Sequence, residues 1–112
     1  MNVKTNIMNT TENNKLIAQF MGAEIDGLNY RVVTYDNIKV CMHPNILNYH
    51  KDWNWLMKVV ETIFLTVDEE RESEDDWDFL TKQIKNSFYF PNIEEVYNSC
   101  VEFIKWYNQQ KN

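Results

Sequence analysis

With 112 residues, 44% of them hydrophobic and 14% aromatic, the chain has the material for one modest core and is not disordered by composition. Its net charge of −6 argues against direct binding of duplex DNA, which needs several phosphates neutralised by Lys and Arg. The longest apolar stretch, 55–67, is short of the roughly twenty residues a membrane span needs and carries Lys58 and Glu61, so no membrane association is expected.

Residues 1–10 are polar and expected to fray, leaving 11–112 as a single compact domain. In NNKLIAQFMG, Leu16, Ile17, Phe20 and Met21 share one helical stripe. Thr11 or Asn13 is suited to cap this first helix and Gly22 to stop it. The pattern then changes to YRVVTYDNIKVCM, which predicts strands at about 30–35 and 38–42 joined across Asp36-Asn37, because Asn tolerates the positive φ of a tight turn. Two strands alone are marginal, so their apolar face needs helices against it.

In YHKDWNWLMKVVETIFL, the residues Trp53, Leu56, Met57, Val60, Ile63 and Phe64 recur at helical spacing, the strongest such signal in the chain. Trp55 and Val59 fall off that stripe, which predicts a partly exposed Trp55. Trp77, Leu80, Ile84 and Phe88 mark a third helix that begins after Ser73 and ends by Pro91. Asn92 caps a final helix with the stripe Ile93, Val96, Tyr97, Cys100, Phe103, Ile104 and Tyr107. The expectation is an α+β fold, predominantly helical, in the order helix, two-stranded β-hairpin, three helices, with the Trp53 and Ile93 helices packed across the hairpin.

Divided by position, the charge is local. Asp68 to Asp78 holds eight acids against Arg71, whereas the remainder holds nine acids against ten Lys and Arg. Three readings of this run compete. As a solvated helix start, Ser73 and Asp76 have capping-box spacing, and Glu74, Asp75 and Asp76 occupy a first turn where the helix dipole favours negative charge. That reading leaves Asp68, Glu69, Glu70 and Glu72 without a local reason. As a metal site the run lacks the glycine of a calcium loop, and neither a metal nor any other cofactor is expected.

As a docking patch, carboxylates three or four residues apart on a helix stand about 5–6 Å from one another, a spacing comparable with that of phosphates. Such a surface could enter a basic channel built for nucleic acid, with Trp77 as an anchor. The partner-binding candidates are therefore Asp68, Glu69, Glu70, Glu72, Glu74, Asp75, Asp76 and Trp77.

Catalytic equipment is sparse. Cys41, His43 and His50 lie near Pro44, but no oxyanion loop, HExxH or Gly-rich phosphate turn accompanies them, and the chain has only two glycines. The expectation is a protein that is not an enzyme. Cys41 and Cys100 lack CxxC spacing, which predicts free thiols in a reduced, cytoplasmic location.

The blocks NNKLIAQFMG, YHKDWNWLMKVVETI and EEVYNSCVEFIKWYN, about 40 of the 112 residues, resemble a family of small, mostly uncharacterised proteins encoded by bacteriophages and prophages. These are packing motifs, and no functional residue is carried across with them. The chain departs from the family pattern in having Lys58 where relatives often have Pro, and in the acidic run with its Trp77 helix, which replaces a more strand-like middle section. The resemblance implies a protein acting in the host cytoplasm. Combined with the charge, it implies an inhibitor of the anti-CRISPR kind, partnered by a host CRISPR-type nuclease or its ribonucleoprotein complex. The alternative is a phage accessory or assembly protein that binds a phage partner through an apolar face.

Overall fold

The computed structural model describes residues 3–34, 36–70, 74–89 and 92–111. In chain order these form α1 (Val3–Phe20), β1 (Glu24–Asp26), β2 (Asn29–Val33), β3 (Lys39–Met42), a 3-10 turn (Pro44–Ile46), α2 (Trp53–Glu70), α3 (Glu74–Asn86) and α4 (Ile93–Lys111). The fold is α+β and predominantly helical, as the periodicities predict.

α1 starts at Val3, upstream of both capping residues suggested by sequence, because no Gly or Pro in the polar lead interrupts a helix. It ends where Gly22 allows. Gly22 has φ +88, its N–H reaches the Gln19 carbonyl at 3.1 Å, and the Ala23 N–H reaches the Ala18 carbonyl at 2.9 Å. That pair of bonds is a Schellman cap. α2 is capped by Asp52, whose Oδ1 accepts from the Asn54 N–H at 2.9 Å, and α4 by Asn92, whose Oδ1 accepts from the Glu94 and Glu95 N–H groups.

The sheet has three antiparallel strands in the order β1-β2-β3, where sequence reasoning expects two. The β2-β3 hairpin is in the predicted place, with Asn37 at φ 67 and Val33 opposite Lys39. The additional strand pairs Glu24 with Arg31 and Asp26 with Asn29, closed by Gly27 and Leu28. Gly27, at φ +64, occupies the first central position, where a two-residue hairpin of the II′ type requires glycine. Asp26-Gly27 is thus the turn signal that sequence reasoning missed. β1 is short and fully exposed, so it lacks the alternating pattern by which strands are usually recognised.

The helices share one core. α4 packs against α1, α2 and α3, with Val96, Cys100, Phe103 and Ile104 fully buried. Ile17 and Ala18 of α1 and Leu56, Val59 and Ile63 of α2 meet them in the same cluster, as does Ile84 of α3. Tyr30 and Val32 bring the inner face of β2 into this core, and Gln19 Nε2 donates to Tyr30 Oη at 3.3 Å.

The expectation for the two tryptophans of α2 is overturned. Trp55 is 8% exposed and Trp53 39%. The apolar arc of α2 is broad, and its neighbours decide which edge is covered. Tyr49, buried in the segment before the helix, sets its ring edge against Trp55 at 5.1 Å, which rotates Trp55, Val59 and Val67 inward and leaves Trp53 and Met57 toward solvent.

Candidate interaction surface

Asp68, Glu69 and Glu70 form the exposed last turn of α2. Glu72, with Arg71 and the proposed cap Ser73, lies outside the described residues. The backbone of Glu74, Asp75, Asp76 and Trp77 forms the first turn of α3, and the side chains of these four lie outside the described set. Asp78 follows and is exposed. The described parts of the acidic run therefore form the end of one helix and the beginning of the next, a corner between α2 and α3.

The two halves of the corner differ electrostatically. The start of α3 carries acids and its last turn carries Lys85, the arrangement its dipole favours. The end of α2 is the reverse. Three carboxylates stand at the negative pole with no basic residue in the last turn, a placement that costs helix stability. Ion pairs found among the described residues lie elsewhere, at Lys15–Glu12, Arg31–Asp26 and Lys58–Glu61. Asp68 and Glu69 have no such partner there.

Glu70 is held differently. Tyr107 Oη lies 2.8 Å from Oε1 and 3.0 Å from Oε2 of Glu70, so the hydroxyl donates to the carboxylate and ties the end of α2 to α4. The Tyr107 ring is fixed in turn by stacking on Phe103 at 6.1 Å and by an edge contact with Phe20 at 5.6 Å. Sequence reasoning placed Glu70 in the patch without seeing this anchor. The direction of the corner is thereby set by the core.

Among the described residues the hydrogen bonds of His43 and His50 go to Asn45 and Asn14, and none joins either ring to Cys41. Cys41 is exposed on β3, and His43 caps the 3-10 turn, its Nδ1 accepting from the Asn45 N–H at 3.2 Å. Cys100 is sealed in the core, and burial pushes its thiol up to about 12. An open cleft of about 730 Å³ runs along the second half of α3, lined by both Asp78 and Lys82 and by Phe88 and Tyr89. Among the described residues no three His, Cys, Asp or Glu side chains converge as metal ligands would, and no helix is long and apolar enough to cross a membrane.

A second polar constellation is buried between α1, the segment 47–50 and α4. Asn14 is 1% exposed. Its Nδ2 donates to the Leu47 carbonyl at 3.2 Å and lies 3.1 Å from His50 Nδ1, while its Oδ1 accepts from Tyr97 Oη at 2.9 Å. Tyr97 also lies 3.3 Å from the Thr10 carbonyl, and burial raises its phenol above the usual tyrosine range. Sequence reasoning missed this group. The available signal was Asn14 itself, a polar residue three positions before Ile17 on the apolar face of α1.

No protein-family model, no curated protein and no solved structure matches the chain.

Proposed function

We propose that this protein is a non-catalytic binding protein that presents the corner between α2 and α3 to a basic surface built for nucleic acid. In its specific form, the reading is a phage-encoded inhibitor of the anti-CRISPR kind, acting in the host cytoplasm on a CRISPR-type nuclease or its ribonucleoprotein complex. The carrying observation is the end of α2, where Asp68 and Glu69 stand exposed against the helix dipole with no ion-pair partner among the described residues. Folding alone disfavours that placement, so a role outside the fold accounts for it better. The Tyr107 bond to Glu70 supports the same reading, because an oriented patch loses less freedom on binding than a mobile one.

The test is inhibition of target cleavage by a purified guide-directed nuclease, comparing the wild type with a variant in which Asp68, Glu69 and Glu72 are replaced by Lys. Inhibition by the wild type that the variant loses supports the reading. An unchanged effect, or none from either protein, removes the patch from the function.

A second reading rests on the rim of the sheet, where Ile25, Leu28, Val33 and Ile38 are all more than half exposed. Such residues suit an accessory or assembly protein that binds a phage partner through apolar contacts. Salt separates the two. A carboxylate patch weakens its complex between low and moderate ionic strength, whereas an apolar contact barely responds.

A further inference from the structure

The buried constellation around Asn14 has a single consistent arrangement of protons. The Leu47 carbonyl can only accept, so the Asn14 amide nitrogen must face it. That nitrogen then also faces His50 Nδ1, which must accept, and the His50 proton sits on Nε2. The amide oxygen is left for Tyr97, whose hydroxyl donates. One backbone carbonyl thus sets the tautomer of a histidine on another segment.

A proton added to His50 goes to Nδ1 and points at the Asn14 NH₂ group, setting donor against donor. Rotating the amide by half a turn would repair that contact, and Tyr97 could then accept from Asn14 and donate to the Thr10 carbonyl. The rotation, however, turns the amide oxygen onto the Leu47 carbonyl. If the amide rotates, the Leu47 carbonyl loses its donor; if it stays, the repulsion between Nδ2 and the protonated Nδ1 pushes His50 and Asn14 apart and loads the bond that fastens the segment between sheet and α2 to α1.

We propose that Asn14, His50 and Tyr97 form a proton-sensitive latch, and that protonation of His50 frees residues 44–50 from α1 and α4. Among the described residues no negative group registers against His50. From α1 the residue facing His50 is Asn14, from α4 it is Tyr97, whose ring lies edge-on at 6.0 Å, and on its own segment the charged neighbour that registers is Lys51. Burial first, and then Lys51, hold the imidazole below its ordinary 6.5. The sign follows from linkage. The released state binds the proton more readily than the latched one, so the latch is fully stable above pH 6.5 and weakens as pH falls from there through the latched-state value.

The experiment is residue-resolved amide exchange on the full chain at about pH 7.5 and about pH 5, corrected for intrinsic rates, together with NMR titration of the His50 ring. The Leu47, Lys51 and Asp52 amides, which are hydrogen-bonded within the segment, are expected to lose roughly tenfold more protection at the lower pH than amides in the middle of α4. In His50→Gln, which keeps an acceptor for Asn14 but does not titrate, the extra loss should vanish. Asn14→Asp places a carboxylate beside the imidazole and should reverse the sign, tightening the segment on acidification. If either variant fails to fold, the wild-type measurements still decide. A His50 midpoint at or above 6.5, or segment protection that falls no more than that of α4, overturns the latch.

Discussion

The Tyr49 ring meets the Trp55 indole edge-on, with centroids 5.1 Å apart and planes at 78°. This contact closes the core over the start of α2, and burial raises the Tyr49 phenol to about 12. Trp55→Ala should therefore cost about 3–5 kcal/mol, the usual range for a buried aromatic truncated to Ala. Trp53→Ala, at the partly exposed position two residues earlier, should cost less than about 1 kcal/mol. Urea unfolding of the two variants checks the order, and equal losses would contradict it.

At the acidic corner, stability and binding should move in opposite directions. Replacing Asp68 and Glu69 by Lys turns an unfavourable dipole interaction into a favourable one, so the variant should be more stable by about 0.3–1 kcal/mol at low ionic strength while losing the proposed binding to a basic surface. Tyr107→Phe should lower stability by no more than about 1 kcal/mol, because the bond to Glu70 is exposed. Paired measurement of melting temperature and inhibition would show whether the corner trades stability for contact.

The two thiols should differ in reactivity. Cys41 is exposed and Cys100 is fully buried with its thiol pushed up to about 12, and only a thiolate attacks an alkylating reagent. Native protein at about pH 8 should take up one label, at Cys41, with Cys100 reacting only in denaturant. Mass spectrometry after a brief pulse reads this directly, and two labels on the native protein would place Cys100 elsewhere than in the core.

At the β1-β2 turn, a Cβ on Gly27 would meet nothing within 4 Å, so only its φ of +64 opposes substitution. Gly27→Ala should destabilise by about 1 kcal/mol through backbone strain, whereas Gly27→Asn should cost less, since Asn enters the left-handed region more readily. Thermal unfolding of the two variants separates backbone strain from lost packing.

The four helices and the β2-β3 hairpin were legible in the sequence because each carries its own period. The face of Leu56, Val60 and Ile63 was legible for the same reason. Which flank of that face is covered was not, since it depends on Tyr49, which lies outside the helix. β1 stayed hidden because a fully exposed strand leaves no alternation to read. At the acidic corner, sequence identified the charges but not the Tyr107 bond that aims Glu70, which joins residues 37 positions apart. The Asn14 constellation likewise joins residues 83 positions apart and has no periodic signature.

Of the four described helices, α4, on which the other three close, is the last to be synthesised. While α4 is being synthesised, at roughly 5–20 residues per second, the apolar faces of Ile17, Leu56 and Ile63 lack their α4 partner for about one to four seconds. During that interval the nascent chain is a substrate for chaperones and proteases. A chain cut short within α4 should stay in that condition, so the cell's quality control would register loss of the final helix before any assay of binding could.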